Sequence, residues 1–342
     1  MIRTVGIVSL SSGIIGEPFV RFEVEIGVRR LEEYGLRVRF LPHALSGIDF
    51  VRDHPEKRAE DLLLAFRDPE IDMILCAIGG DDTYRLLPYL FDHGELESAV
   101  TDKPFLGFSD TTVNHLMLHK VGLRTFYGQA FLPDLCEIGP QMHPYTRRYF
   151  EELITTGRIR EIRPSDVWYP EREAFTPDQV GKALQARPNR GFELLQGPAV
   201  FSGRILGGCI DTLHDFFDGE RYADMPALCR KYGLFPGAED WKGRILLLES
   251  SEETPTPEKY RRSLEYLKET GVFDAVSGVL AGKPMNEKYA TEYRELLVRV
   301  IGRPSLPIVF NVNIGHAMPR CIIPFGTEAT VDAAAQTIRF VD

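Results

Sequence analysis

The sequence predicts an α/β protein with two halves, each built on parallel strands covered by helices. Two observations carry that reading. Short apolar runs of strand length alternate with longer segments whose apolar residues recur at helical spacing, the pattern of a parallel sheet buried on both faces. A charged stretch interrupted by Pro164, Pro170, Pro177 and Pro188 then divides two such regions. The expected division is an N-terminal domain over 1–163, a linker and loop over 164–192, and a C-terminal domain over 193–342. With 342 residues, 44% of them apolar and 11% aromatic, the chain can build two cores.

In order, residues 4–10 read as a buried first strand and Ser11-Ser12-Gly13 as the loop after it. Residues 19–34 place Phe22, Val24, Ile26, Val28 and Leu31 at helical spacing, closing at Gly35. A second strand is expected over 36–41, a charged amphipathic helix over 56–66 and a third strand over 71–78. Gly79-Gly80-Asp81-Asp82-Thr83 follows, then a helix over 84–90. Strands are expected to end at Gly107 and Gly128, with a helix over 145–156. In the second half, residues 196–203 read as strand and turn, and Gly207-Gly208 as a break between strand and helix. Strands over 244–249, 275–281 and 308–312 alternate with helices over 257–270 and 289–301. A hairpin over 328–331 and 337–341 ends the chain.

Composition excludes several classes. A net charge of −10 argues against a nucleic-acid partner, since phosphate binding wants basic surface. No apolar run approaches the roughly 20 residues of a membrane span, and the N-terminus runs directly into a strand instead of a signal peptide. A cytoplasmic protein with no membrane partner is expected. The cysteines at 76, 136, 209, 229 and 321 are odd in number and scattered, which fits neither a disulfide framework nor a zinc site. His115 and His119 lie four apart on a predicted helix without a recognisable third ligand, so no metal or cofactor is expected.

The chemistry concentrates at strand ends, where parallel sheets gather their ligands. In Phe105-Leu106-Gly107-Phe108-Ser109-Asp110-Thr111 a buried strand passes directly into a helix. A serine on such a turn has its hydroxyl clear of the sheet, beside backbone N–H groups able to bind an oxyanion. Taken alone, the segment reads equally as a helix cap. Glu249 closes the apolar run Leu246-Leu247-Leu248, and His316 follows the strand over 308–312 in Asn313-Ile314-Gly315-His316. Each has an ordinary structural reading. Together, three strand-end residues in the order Ser, Glu, His match one chain order of a nucleophile, orienter and base. Gly80 and Asp110 are the expected oxyanion donors through their backbone. Trp168 and Phe175, in the 164–192 segment, either wedge that segment onto the body or face a ligand.

The ordered set Ile78-Gly79-Gly80-Asp81-Asp82, Leu86-Leu87-Pro88-Tyr89, Gly107-Phe108-Ser109-Asp110-Thr111-Thr112, Phe126-Tyr127-Gly128, Gly207-Gly208, Leu247-Leu248-Glu249 and Gly315-His316 with Pro324-Phe325-Gly326 resembles the LD-carboxypeptidase family of serine peptidases. Within it the chain is more similar to the microcin C self-immunity branch than to the murein-recycling one. The resemblance implies a Ser109–Glu249–His316 triad, a flavodoxin-like N-terminal domain, a swivelling C-terminal α/β domain and a cytoplasmic homodimer. It implies amide cleavage in a peptidyl or aminoacyl nucleotide or, alternatively, release of D-alanine from murein tetrapeptide. Substrate contacts are then expected from Asp81, Asp82, Trp168, Phe175, Gly208 and Cys209. Phe175 stands where that branch places a tryptophan that stacks on the nucleobase, and Cys209 where an asparagine is common. The rival readings are a phosphotransferase, because Gly79-Gly80-Asp81-Asp82-Thr83 resembles the glycine-rich loop of NAD and lipid kinases, and a non-catalytic binding protein on the same fold. Asp82 departs from the kinase loop at a position where glycine lets the backbone hug a phosphate.

Overall fold

The computed structural model describes residues 2–341. Its first sheet has the spatial order Ile323–Phe325, Thr125–Tyr127, Phe105–Gly107, Met73–Cys76, Thr4–Val8, Arg37–Phe40. The five N-terminal strands run parallel, and in chain order they stand 2-1-3-4-5 across the sheet, the flavodoxin-like arrangement. The crevice of such a sheet opens where the order reverses, between the ends of Thr4–Val8 and Met73–Cys76. The loops at that point carry Ser11, Ser12, Gly79 and Gly80.

The second sheet has eight strands. Val200–Cys209, Ile245–Glu249, Gly278–Gly282 and Ile308–Val312 form a parallel centre, with antiparallel strands added at each side. The parallel strands are buried along most of their length, which is why they read as continuous apolar runs. Helices Pro257–Glu269 and Ala290–Ile301 pack on each other, with Tyr260 and Tyr293 stacked at 3.9 Å.

Three features differ from expectation, each for a physical reason. Gly203, Gly207 and Gly208 are neither turn nor break but lie inside the ten-residue strand Val200–Cys209. A Cβ at Gly203 would lie 2.3 Å from the Gly243 carbonyl oxygen, and one at Gly207 2.0 Å from that of Leu247. Close approach of backbone is what they serve. The segment after Thr83 is a 3₁₀ turn, Thr83–Leu86, running into the short helix Leu87–Phe91. Finally, the halves exchange strands: Ile323–Phe325 pairs with Thr125–Tyr127 in the first sheet, while Glu161–Ile162 pairs with Thr337–Val341 in the second. The 164–192 segment is irregular apart from a two-stranded ribbon, Val167–Trp168 with Arg187–Pro188, and a 3₁₀ turn, Pro177–Gln179. All five cysteines are buried and unbridged.

Candidate active site

The parallel strand Phe105–Gly107 delivers Phe108 in an extended conformation and then Ser109 at φ 66°, the first residue of a 3₁₀ turn that leads into helix Thr112–Lys120. A left-handed serine costs on the order of 1 kcal/mol or more and persists only where its surroundings hold it. Here the Ser109 N–H donates to Tyr127 Oη at 3.1 Å, and its carbonyl accepts from Thr112 Oγ1 at 2.7 Å. Gly79 makes the space: a Cβ there would sit 2.6 Å from Ser109 Cβ and 2.8 Å from its Oγ.

Glu249 ends the strand Ile245–Glu249, and His316 lies in the loop beyond Ile308–Val312. The three side chains form one hydrogen-bonded line. His316 Nε2 stands 3.1 Å from Ser109 Oγ, and His316 Nδ1 stands 2.8 Å from Glu249 Oε2. The other Glu249 oxygen accepts from Tyr127 Oη at 2.6 Å. Gly315, at φ 82°, permits the approach, because a Cβ there would fall 2.1 Å from Glu249 Oε2. With Nδ1–H committed to Glu249, Nε2 is the ring nitrogen left to take a proton from the serine.

A second carboxylate reaches the same nitrogen. Glu252 Oε2 lies 2.9 Å from His316 Nε2. Burial by itself would lower the His316 pKa; the Glu249 carboxylate and the hydrogen bonds to Glu249 and Glu252 outweigh it and raise the value to about 10. Glu252 and Ser109 thus compete for the same ring nitrogen.

Ser109 opens onto a cavity of about 250 Å³ whose wall includes Gly80, Asp81, Asp110 and Cys209. Gly80 and Asp110, the expected oxyanion donors, thus border the cavity onto which Ser109 opens. The Asp110 side chain does other work. Buried, it accepts from Ser11 Oγ at 2.7 Å, Thr83 N at 3.0 Å and Thr83 Oγ1 at 2.6 Å, tying the nucleophile turn to the two loops at the crevice. Burial raises its pKa against those bonds.

The six expected substrate contacts divide. Asp81 and Cys209 line the cavity. Asp82 does not; its carboxylate turns inward to Arg58, at 2.5 and 3.2 Å, where it supplies the buried guanidinium with a counter-charge. Gly208 is packed against the nucleophile's helix, where a Cβ would meet Thr112 Oγ1 at 2.2 Å. Trp168 is buried beneath Arg187 and Lys283, each 5.0 Å from its ring, and so wedges the 164–192 segment onto the body. Phe175 is 53% exposed and stands outside the cavity wall.

Cys209 Sγ, a Glu249 oxygen and a His316 nitrogen lie within 4.8 Å of one another, the one trio among the described residues with metal-ligand chemistry at that spacing. Glu249 and His316 Nδ1 are already committed to each other, and burial, followed by Glu249 and Asp211, pushes the Cys209 thiol up, away from the thiolate a metal would need. His115 is a satisfied core residue, bonded to Thr125 Oγ1 at 2.7 Å and the Gly107 carbonyl at 3.1 Å, its pKa pushed down to about 3 by burial. The sequence reading assigned no role to Tyr127, Asp211, Asp215, Arg221 or Glu252. Only Tyr127 carried a signal, as a polar-tipped aromatic at a strand end before Gly128.

The family profile described as the LD-carboxypeptidase N-terminal domain matches residues 5–128, and that of the LD-carboxypeptidase C-terminal domain matches residues 202–331. The chain belongs to the LD-carboxypeptidase family. It is accordingly a hydrolase of the carboxypeptidase type. Among family relatives, a putative carboxypeptidase of Vibrio cholerae is 28% identical over 84% of this chain and 80% of its own length. The microcin C7 self-immunity protein MccF of Escherichia coli is 27% identical over 90% of this chain and 84% of its own. Among solved structures, an MccF-like protein from Streptococcus pneumoniae in complex with AMP superposes with a TM-score of 0.99 at 58% identity, covering 100% of this chain and 99% of that one. No helix among the described residues is long and apolar enough to cross a membrane.

Proposed function

We propose that the chain is a serine amidohydrolase acting on aminoacyl or peptidyl nucleotides, with Ser109 as nucleophile, His316 as base and then acid, and Glu249 as the group that orients and steadies the imidazolium. The observation that carries this reading is the unbroken line Ser109 Oγ, His316 Nε2, His316 Nδ1, Glu249 Oε2 at 3.1 and 2.8 Å. Substrate entry displaces Glu252 from Nε2. Ser109 Oγ then attacks the carbonyl carbon as its proton passes to Nε2, and the oxyanion is met by backbone N–H groups at Gly80 and Asp110. Collapse of the adduct expels the leaving amine, which takes the proton from His316. Water repeats the sequence to free Ser109. The nucleotide portion of the reading is supported by the 58% identity to a protein crystallised with AMP.

The deciding experiment incubates purified protein with an aminoacyl sulfamoyl-adenosine and, separately, with murein tetrapeptide, following products by mass spectrometry with Ser109→Ala as control. Cleavage of the nucleotide, lost in the folded Ser109→Ala variant, is the expected result. Release of D-alanine alone would move the substrate to murein, and full turnover by Ser109→Ala would remove the nucleophile assignment.

A further inference from the structure

Ser109 and His316 reach each other from different halves of the chain, and the loop that carries His316 has no regular structure of its own. It leaves the second sheet at Val312 and enters the first at Ile323. A base on such a loop needs a support that fixes it to within a fraction of an ångström of the nucleophile. Arg320 lies in that loop, and its side chain folds back toward His316. Its Nη2 donates to the His316 carbonyl oxygen at 3.3 Å, and its guanidinium carbon stands 4.5 Å from the centre of the Phe108 ring. Phe108, the residue just before the nucleophile, in turn meets the His316 imidazole edge-on, with ring centres 5.0 Å apart. One guanidinium thus touches both the backbone of the base and the ring that joins base to nucleophile.

The other polar partners of Arg320 come from the first half of the chain. Its Nε pairs with Asp134 Oδ1 at 3.5 Å, its N–H donates to Thr146 Oγ1 at 3.2 Å, and its carbonyl oxygen accepts from Gln129 Nε2 at 3.2 Å. Asp134 is fixed in turn, its Oδ2 accepting from the Ala130 N–H at 2.9 Å. Arg320 is 4% exposed, yet apart from the ion pair to Asp134 neither Nε nor Nη1 makes a hydrogen bond. A pair so buried and so loosely bonded contributes little to stability, because desolvation offsets the attraction, and an uncharged pair of similar volume holds a fold about as well. What the guanidinium adds is a directed N–H on the His316 backbone and a flat surface on Phe108.

We propose that Arg320, with Asp134 as its counter-charge, is a positioning residue for the hydrolysis: it locks the His316 loop of the second half onto the Phe108–Ser109 turn of the first, so that Nε2 faces Oγ. The proposal rests on Ser109 and His316 being nucleophile and base. Neither Arg320 nor Asp134 lines the cavity beside Ser109, so their effect falls on kcat and not on KM.

The test compares wild type, Ser109→Ala, Arg320→Lys, Arg320→Ala and the double variant Arg320→Met with Asp134→Asn, which leaves no unpaired buried charge. Turnover of aspartyl sulfamoyl-adenosine and of murein tetrapeptide is followed by mass spectrometry, beside a melting curve of each protein. The double variant is expected to melt within a few degrees of wild type and to lose about 10- to 100-fold in kcat, with KM within about twofold, the size of effect that a displaced catalytic group gives. Arg320→Lys keeps the charge but not the planar fork, and its kcat should fall between the two. Arg320→Ala supplies a readout that packing alone would not move: millimolar guanidinium should restore most of the lost kcat, whereas urea, neutral and of similar shape, should not. If Arg320→Ala does not fold, the double variant and Arg320→Lys decide. A folded double variant with wild-type kcat, a rise in KM alone, or a folded Arg320→Ala that guanidinium does not rescue or urea rescues equally overturns the positioning role and leaves the Ser109 reading intact. Full turnover by Ser109→Ala, or none by wild type, removes that reading and the positioning role with it.

Discussion

Ser109, Glu249 and His316 on the floor of the site are at most 8% exposed, whereas at the rim the side chains of Glu252, Asp81 and Arg221 keep 59%, 45% and 38% of their surface in solvent. The floor is held by shape. Gly79, Gly282 and Gly315 each leave out a side chain that would strike Ser109 or Glu249, and Tyr127 bridges the Ser109 backbone to the Glu249 carboxylate. The rim is held by charge, with one arginine spread over three acids. Shape fixes positions to fractions of an ångström and fails abruptly. Charge acts at longer range and fails by degrees.

The largest effect should therefore come from one methyl group on the floor. Gly315→Ala adds a Cβ 2.1 Å from Glu249 Oε2 at a residue with φ 82°, so the Glu249–His316 bond cannot survive unchanged. A loss of about ten-thousandfold in kcat/KM is expected, of the order seen when an orienting acid is removed. A folded variant within tenfold of wild type would break the distinction between floor and rim. Next comes Tyr127→Phe, which keeps the ring and deletes both the donor to Glu249 and the acceptor for the Ser109 N–H. About 10- to 100-fold in kcat, with KM little changed, follows from losing two buried hydrogen bonds of about 0.7–1.4 kcal/mol each. Steady-state kinetics with a melting curve separate this from simple unfolding.

Much of the floor was legible in the sequence because its residues end apolar strands. A run such as Leu246-Leu247-Leu248 announces a buried strand, and a carboxylate closing it calls for a partner. What was not legible depends on which way a side chain turns. Asp81 and Asp82 are adjacent and chemically alike, yet one faces the cavity and the other is buried on Arg58, 24 residues away in sequence. The strand Ile323–Phe325 has three residues, and nothing in them says that it completes the opposite sheet. Gly207 and Gly208 are as common in turns as in strands, and only the contacts to Leu247 and Thr112 distinguish the two. Rim residues are the least legible of all, since Glu252 and Arg221 lie in loops that meet the end of helix Ile210–Asp215.

At the rim, Glu252→Gln tests charge with little change of shape. As the proposed base, His316 acts when neutral, so its rate contribution rises with pH through its pKa. Glu249 and Glu252 hold that pKa at about 10; removing the Glu252 charge lowers it. The acid limb of the kcat/KM profile should move down by about one unit or more, and activity at pH 7 should rise. Stability should move the other way. A pKa raised above 6.5 in the folded protein stabilises it fully below pH 6.5, and the benefit is lost as pH climbs through about 10. Glu252→Gln should therefore lower Tm at pH 6 and leave it nearly unchanged above pH 10. An unmoved acid limb would mean that Glu252 is a bystander at the rim.

The smallest effect belongs to Phe175. Its ring is 53% exposed and lies outside the cavity wall, so nothing on the floor depends on it. An exposed ring on the 164–192 segment can nonetheless cover one face of a base once a nucleotide is bound, and such stacking is worth about 1 kcal/mol where the ring stays partly wet. Phe175→Ala is expected to raise KM for aminoacyl sulfamoyl-adenosines by about threefold to fivefold, leave kcat unchanged, and spare peptides that carry no base. Trp168 provides the contrast within the same segment. Trp168→Ala empties a buried site between Arg187 and Lys283 and should lower Tm by several degrees before it affects any one substrate. Equal loss on nucleotides and peptides in Phe175→Ala would make that ring, like Trp168, part of the scaffold, and the rim would then recognise its substrate by charge alone.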